Sequence, residues 1–407
     1  MTLRDAPIPM AQAWQRLAEL PLDWGVEEVA LEHAAGRILA QDLRADRSFP
    51  PFHRVAMDGI AIMGVSLDKG DCVFHAAGIQ AAGDPPLTLG DRGDAIEVMT
   101  GAVLPSGADT VIPVEELEQV ADGIRLRAGA RPRPGQNIHT AGSDAQAGAL
   151  LLGPGAFLHG PALAVAASVG AASLWVRRRP RIAVLATGSE LVDVGEQPAP
   201  HQIRVSNVTA LCAGLQLDGH LPAWSGRCGD ERDRLGGTIR DLLARHEVLV
   251  LSGGVSMGRC DHVPGLLAEL GCRILFHGVR QRPGRPLLAA LGPDGQLVTA
   301  LPGNPVTAVI GLHRYLLPLL RLKEGRPDRV ATVRLADTLP WGRPLALFLA
   351  ATLDSSADGP SLAHPLPGGG SGDLSTLAAS RGFLCLEEEG GRWEAGELVP
   401  FRPWSAS

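Results

Sequence analysis

The chain has 407 residues, 45% of them apolar and 20% charged, which suffices for roughly two to four soluble domains with separate cores. A net charge of −7, aromatics at 4% and a single tyrosine, Tyr315, argue against a nucleic-acid surface of basic patches and stacked rings. Six dispersed cysteines (Cys72, Cys212, Cys228, Cys260, Cys272, Cys385) include no C-x-x-C pair, which disfavours a zinc site or disulfide framework and points to a reducing cytoplasm.

The opening MTLRDAPIPMAQAW carries charges where a signal peptide needs an apolar core, so no export signal is expected. Met10, Trp14 and Leu17 fall at helical spacing and predict an amphipathic helix over 9–20. A second helix is expected over 31–40, followed by the loop RSFPPFHR. From 55 to about 144, short apolar runs broken by Gly and Pro (EVMTGAVLP, ADTVIPVEE, GIRLRAG) predict a small β-rich domain. Residues 145–176 return to helix. Their stretch GPALAVAASVGAASLWV is too short for a membrane span and reads as a soluble helix between Pro161 and Gly170.

From 180 the pattern alternates strand and helix. RIAVLAT is a buried strand, and SNVTALCAGLQLDG is a helix capped by Ser206 and stopped at Gly219. A charged helix from Asp230 to Arg245, the strand EVLVLSG and a helix over 263–270 follow. The strands CRILFHG, PLLAAL and LVTAL then lead into a closing helix over 305–323. Such alternation implies a mostly parallel sheet covered on both faces. Beyond Gly325, ATVRLADTL, LALFLAATL and GFLCLEEE read as a C-terminal β domain. The expected fold is multidomain α/β. Its parts are a helical N-terminal domain in two pieces (1–50 and 145–177), an inserted β-rich domain (51–144), a doubly wound α/β domain (178–325) and a C-terminal β domain (326–407).

Ligands of an open α/β sheet bind at the carboxyl ends of its strands. There, Ser252, Gly253 and Gly254 of SGGVSMG leave backbone N–H groups for an anion. Arg282 and Arg285 of RPGRP can close over the same anion. These loops read as a site for a phosphorylated small molecule. Thr187, Gly188, Ser189 and Ser256 add backbone and hydroxyl donors. After Pro302, Asn304 and Pro305 stand as cap and first residue of the closing helix, whose N-terminus is a further anion site. Ordinary turn glycines and an ordinary helix start are the alternative reading. Of the basic clusters, Arg177 to Arg181 reads as a solvated linker, whereas Arg131 to Arg133 and Arg280 to Arg285 adjoin Gly and Pro loops as ligand candidates. No P-loop, G-x-S-x-G elbow or H-E-x-x-H helix is present.

Seven segments occur in a characteristic order: AMDG (56–59), MTGAVLPSGAD (99–109), GQNI (135–138), ATGSEL (186–191), SGGVSMG (252–258) with Asp261 behind it, RPGRP (282–286) and LPGNPV (301–306). Together they resemble the molybdopterin molybdenumtransferase family, the MoeA-type molybdenum insertases related to the C-terminal half of gephyrin, over about residues 5–405. The resemblance implies that the α/β domain binds molybdopterin. The implied reaction converts adenylylated molybdopterin plus molybdate to molybdenum cofactor plus AMP. It also implies a cytoplasmic homodimer whose active site lies between the α/β domain of one subunit and the first two domains of the other. Mg2+ is the implied cofactor, molybdate a substrate, and molybdoenzyme maturation proteins are candidate partners; neither nucleic acid nor membrane is expected.

Cleavage of a pyrophosphate link calls for a divalent cation held by carboxylates. By resemblance the acidic set is Asp58, Asp144, Glu190, Asp230 and Asp261. Glu190 and Asp261 take the metal role, and Asp58 and Asp144 reach in from the partner subunit. Turn formation or helix capping is the alternative for each, and for Asp230 capping is equally open. Thr100 and Ser106 are expected on the molybdate side, unless either only closes a β-turn. Met57, Met99 and Met257 read as packing residues. Cys260 reads as a bystander, because in this family the substrate supplies the dithiolene sulfurs.

The wording departs from the family's in places. Val55 and Ile60 flank AMDG where Ser and Tyr are usual, RPGR replaces KPGK, and His139, Thr140 and Ala141 replace an arginine-rich segment. All five carboxylates remain. Two alternatives stay open: a non-catalytic molybdopterin-binding paralogue, and the adenylyltransferase of the preceding step. About 180 additional N-terminal residues speak against the latter. Preference between molybdate and tungstate is undecided.

Overall fold

The computed structural model describes residues 6–69, 73–255, 261–355, 359–368, 370, 372–387 and 391–405. The chain divides into two compact units, residues 28–176 and residues 1–27 with 177–407. The expected first helix forms as α1 (Met10–Ala18), and Met10, Ala13 and Leu17 bury its apolar face in a core that also holds Leu211, Tyr315 and Leu319. Lys323 donates to the carbonyls of Ala18 and Leu20 at 2.7 and 2.6 Å, a cation at a helix C-terminus. Residues 6–27 therefore fold with the α/β segment rather than with 28–50.

The helix expected over 31–40 does not form; only a 3-10 turn, Leu31–His33, is present. Gly36 at φ +72° breaks the run. Ile38 and Leu39 instead bridge to Phe157 and Val176, and Leu39 and Leu43 join a small core with Leu158, Ala162 and Leu174. The described residues of 28–50 and 145–176 hold one α-helix, α2 (Gly160–Ser168), whose N-cap His159 accepts from the Ala162 N–H at 3.2 Å.

Between these pieces lies a six-stranded sheet: β1 (Gly59–Ile62), β2 (Val73–Gln80), β3 (Asp94–Val98), β4 (Thr110–Pro113), β5 (Leu117–Val120) and β6 (Gly123–Leu126). Its order is β4-β1-β3-β2-β6-β5, antiparallel except for the β2–β3 pair. Alternation along β1 sends Ile60 and Ile62 to one core and Ala61 to another with Val55. The apolar residues that flank AMDG are thus core residues.

In the second unit the strands are β7 (Ile182–Thr187), β8 (Trp224–Cys228), β9 (Val248–Ser252), β10 (Arg273–His277), β11 (Gln281–Arg282), β12 (Leu288–Leu291) and β13 (Leu297–Leu301). The helices α3 (Ser206–Leu217), α4 (Arg232–Arg245) and α5 (Val263–Glu269) connect them. The sheet order is β8-β7-β9-β13-β12-β10, parallel through β13 and antiparallel beyond. Ile182 and Val184 face one core while Ala183 and Leu185 face the other, so the sheet is covered on both sides. Ser206 is the first residue of α3 rather than its cap, and Val205 before it offers no side-chain bond. The closing helix is interrupted: α6 (Pro305–Gly311) passes through a π-turn, Leu312–Leu316, into α7 (Leu317–Glu324). Gly325 at φ +79° ends it. The Arg177 to Arg181 run is not wholly solvated, because Arg178 forks onto Glu247 at 3.0 and 2.5 Å.

The C-terminal strands β14 (Ala331–Leu335), β15 (Ala346–Asp354), β16 (Leu362–Pro365), β17 (Gly382–Leu386) and β18 (Leu398–Pro403) surround a core of Val333, Leu347, Ala351, Leu384 and Phe401. Their order is β15-β16-β14-β18-β17, and β17 pairs back onto β15 to close a small barrel. A short helix, α8 (Leu374–Ala379), precedes β17. β11 adds to this barrel, running parallel to β15 with Gln281 opposite Ala346 and Arg282 opposite Leu347. A chain of ion pairs joins the barrel segment to the α/β segment: Arg402 binds Asp328 at 3.0 and 2.7 Å, Asp328 accepts from Arg321 at 3.4 Å, and Arg321 binds Asp218 at 2.8 and 2.6 Å. Among the described residues no helix is long and apolar enough to cross a membrane.

Candidate active site

The carboxyl ends of β7, β9 and β13 open onto a cavity of about 1100 Å³. Close backbone packing shapes its floor. Gly253 has φ +101°, and a Cβ there would lie 2.4 Å from the Thr187 carbonyl oxygen. A Cβ on Gly303 would meet the Gly253 Cα at 3.4 Å. A side chain is excluded at Gly253, which leaves its backbone groups to face a ligand. Asn207, in the first turn of α3, ties two of the loops together. Its Nδ2 donates to Ser252 Oγ and to the Gly303 carbonyl, each at 2.8 Å. Asn207 Oδ1 and Thr187 Oγ1 are buried with no hydrogen-bond partner among the described residues. Buried polar atoms left in this way fit a ligand that completes them.

The acidic side is built from three loops. Glu190 folds back over Gly188, where a Cβ would meet its Oε2 at 2.6 Å. Asp230 Oδ2 accepts from the Ser189 N–H at 2.9 Å, and Ser189 Oγ accepts from the Asp230 N–H at 3.1 Å. Helix α4 begins at Arg232 without a side-chain cap, so Asp230 braces the ATGSEL loop instead of capping. Asp261 lines the same cavity.

On the basic side, Gln281 anchors the RPGR loop from below. Its Nε2 donates to the carbonyls of Pro283 and Gly284 at 3.3 and 3.1 Å, and its Oε1 accepts from the Tyr315 hydroxyl. The loop presents Arg282 and Arg285 to the cavity, and neither forms an ion pair among the described residues. The structure therefore brings together Thr187, Gly188, Glu190, Asp230, Gly253, Gly254, Asp261, Arg282, Arg285, Pro302 and Asn304. Ser189 and Ser252 stand behind the wall as loop braces. Asn304 caps α6 by accepting from the Thr307 N–H at 3.4 Å, with Pro305 as the first helical residue. Ser256, Met257 and Cys260 lie outside the described residues.

Several lining residues carry no sequence signal. Arg343, Leu345, Phe348 and Ala350 on or beside β15, with Leu366 and Asp373, give the cavity a wall from the C-terminal barrel. They look like ordinary alternating strand residues, and only the β11–β15 pairing brings them to the site. Asn207 was equally hidden, as one polar residue inside a helix start.

Asp58, Thr100, Ser106 and Asp144 belong to the other unit. Thr100 donates to Asp58 Oδ1 through its backbone N–H at 2.6 Å and its hydroxyl at 2.7 Å. These bonds, the backbone one first, hold the Asp58 carboxyl below the usual carboxylate range. Asp58 lines a smaller cavity of about 350 Å³ with Ile79, Glu97, Met99 and Val114. Ser106 forms a parallel bridge with Thr88 instead of closing a turn: its N–H donates to the Leu87 carbonyl at 2.8 Å and its own carbonyl accepts from the Leu89 N–H at 2.9 Å. Asp144 is exposed and accepts from Ser143 Oγ at 2.9 Å. Met57 and Met99 are 40% and 49% exposed, so the packing role expected of them does not hold.

Among the described residues no group of three or more His, Cys, Asp or Glu could hold a metal unaided. A hard cation bound by two carboxylates and completed by substrate phosphates fits the oxygen-donor set present.

A molybdopterin-type α/β sheet, preceded by a split N-terminal region and followed by a small barrel, defines a class of cofactor-biosynthesis proteins. Residues 8–170 match the family model for the MoeA N-terminal region (domain I and II), 183–322 that for a probable molybdopterin binding domain, and 332–404 that for the MoeA C-terminal region (domain IV). The chain is 32% identical to a molybdopterin molybdenumtransferase from a Synechocystis species, covering 98% of this chain and 99% of that one. It is 30% identical to the protein of that name from Bacillus subtilis, covering 98% and 94%. A crystal structure of a molybdopterin biosynthesis MoeA protein from Pyrococcus horikoshii superposes with a TM-score of 0.81 at 28% identity, covering 99% of this chain and 100% of that one. The chain belongs to the molybdopterin molybdenumtransferase family.

Proposed function

We propose that this enzyme of molybdenum cofactor biosynthesis inserts molybdenum: adenylylated molybdopterin plus molybdate give molybdenum cofactor plus AMP. The observation that carries this reading is the two-signed cavity, in which Arg282 and Arg285 share walls with Glu190, Asp230 and Asp261. Arginine forks match tetrahedral oxyanions bidentately, so Arg282 and Arg285 hold phosphate or molybdate oxygens. Thr187 Oγ1 and Asn207 Oδ1 provide the polar contacts that the pterin portion completes. Glu190 and Asp261, with the substrate's phosphates, would hold Mg2+, which when bound neutralises charge on the pyrophosphate link. Asp230 keeps the Ser189 loop in place beneath them. Asp58, ionised through Thr100, acts with Asp144 from the partner subunit of a homodimer. The protein works in the cytoplasm and passes its product to molybdoenzyme maturation proteins.

Single-turnover release of AMP from adenylylated molybdopterin with magnesium tests the reading, with and without molybdate. Release that depends on molybdate is expected. Tight binding without release would instead make this a molybdopterin-binding protein, and ATP-dependent adenylylation of molybdopterin would make it an adenylyltransferase.

A further inference from the structure

The basic end of the cavity is assembled from two distant stretches of sequence, and one indole stands beside both. Trp341 is tied down at its backbone, where its N–H donates to the Gly391 carbonyl at 3.1 Å. Its indole Nε1 donates to the Leu345 carbonyl at 2.8 Å. The Leu345 N–H in turn donates to the Arg343 carbonyl at 2.9 Å, so residues 341–345 fold into a tight turn that leaves Arg343 exposed. Strand β15 starts directly after this turn and carries β11 alongside it, which brings Arg282 to the same edge.

The guanidinium carbons of Arg282 and Arg343 lie 5.8 and 5.9 Å from the centroid of the Trp341 ring. Both arginines line the cavity, and neither forms an ion pair among the described residues. Two cations gathered with no ion-pair partner among the described residues repel each other. The negative face of an indole offsets part of that repulsion and fixes where the forks point. The remainder is relieved by an anion with several oxygens.

We propose that Trp341 is a positioning residue that sets Arg282 and Arg343 as a two-armed clamp for a tetrahedral oxyanion entering the cavity. The clamp rests on the molybdenum-insertion reading for its ligand, which is either molybdate or the phosphate of the adenylylated substrate. Arg343 meets this ligand directly, and Trp341 acts through the two guanidiniums.

The test uses full-length Trp341→Phe, Trp341→Leu and Arg343→Gln in single-turnover AMP release, titrating each substrate separately. Both Trp341 variants lose the bond to Leu345, so the difference between them reports the aromatic face alone. Arg343→Gln changes an exposed side chain and leaves the core untouched. Trp341→Leu and Arg343→Gln should each raise the half-saturation concentration for one substrate about tenfold, with a far smaller change in limiting rate. Trp341→Phe should fall between wild type and Trp341→Leu. A shift confined to molybdate assigns the clamp to molybdate, and one confined to adenylylated molybdopterin assigns it to the phosphate. Unchanged half-saturation for both substrates in all three variants overturns the proposal. A wild type that releases no AMP would sink the insertion reading instead. Calorimetry with sodium molybdate and, separately, with AMP on wild type and Arg343→Gln then decides the clamp: about tenfold weaker binding of either anion in the variant supports it, and equal or absent binding of both overturns it.

Discussion

Tyr315 donates its hydroxyl proton to the side-chain oxygen of Gln281, and both side chains are almost wholly buried, at 0% and 3% exposure. Gln281 in turn carries the carbonyls of Pro283 and Gly284, so the position of the arginine loop depends on a phenol in the π-turn of the closing helix. π-turns recur near functional sites, and here one seats the tyrosine that supports the loop. Tyr315→Phe removes this donor from a buried acceptor, at a cost of about 1–3 kcal/mol. Denaturant unfolding should show that loss, and half-saturation for the anionic substrate should rise several-fold. If neither changed, the loop would not depend on this bond.

The carboxylates Glu190, Asp230 and Asp261 should not respond alike. Glu190→Gln and Asp261→Asn are expected to lower magnesium-dependent AMP release by at least about 100-fold, the scale of lost electrostatic stabilisation at a reacting phosphate. Asp230→Asn should cost less, because its carboxylate is engaged with the Ser189 N–H and an amide oxygen can accept that bond. A rate profile over magnesium concentration for the three variants distinguishes them. Equal losses would mean that Asp230 also meets the metal or the substrate.

Gly253→Ala places a methyl group 2.4 Å from the Thr187 carbonyl oxygen at a φ of +101°. Backbone cannot yield there as a flexible side chain would, so the SGG turn must move. Substrate affinity should fall at least about tenfold, and stability by about 1–3 kcal/mol through strain. Gly295→Ala, at φ +86° with nothing within 4 Å of its Cβ, carries backbone strain without the contact and serves as the control. Calorimetric titration with AMP and thermal melting check both effects.

Acid should weaken the fold in a window set by His313. Burial first, then the charge of Arg321, pushes His313 down to about 4 from its ordinary 6.5. The unfolded chain therefore takes up this proton before the folded one. Stability is full above about 6.5 and falls as pH drops towards 4, by at most about 1.4 kcal/mol per pH unit for one proton. The carboxyls of Asp218 and Glu247 are both held below their ordinary values, although burial works to raise each; the close approach of His220 and the hydrogen bonds from Arg321 to Asp218, and from Arg178 to Glu247, prevail. Their stabilisation is complete above those ordinary values and is lost only at lower pH. His313→Phe should flatten urea midpoints measured between pH 7 and 5. A wild-type profile already flat there would contradict this assignment.

Much of the cavity was legible because loops after strands have a grammar. Gly253, Gly254, Arg282, Pro302 and Asn304 sit in turns whose spacing follows from strand ends, and the same turns line the cavity. The helix expected over 31–40 failed because an apolar run looks helical until Gly36 turns it and a distant partner such as Phe157 claims Ile38. Asn207 and Arg343 escaped for a different reason. Their importance arises from what long-range pairing sets beside them, and local sequence does not encode that. Asp58 was singled out by motif alone, whereas its bonds to Thr100 appear only once Thr100 stands beside it.

The pairing of β11 with β15 bears on how members of this family can be recombined. By position, Gln281 and Arg282 belong to the α/β segment, yet their strand neighbours are Ala346 and Leu347 of the barrel. A chimera joined at Gly325 would separate two stretches that share one edge. Residues 280–286 and 341–350 form a single heritable block across the apparent domain border, and grafts that keep them together should preserve a working pocket wall.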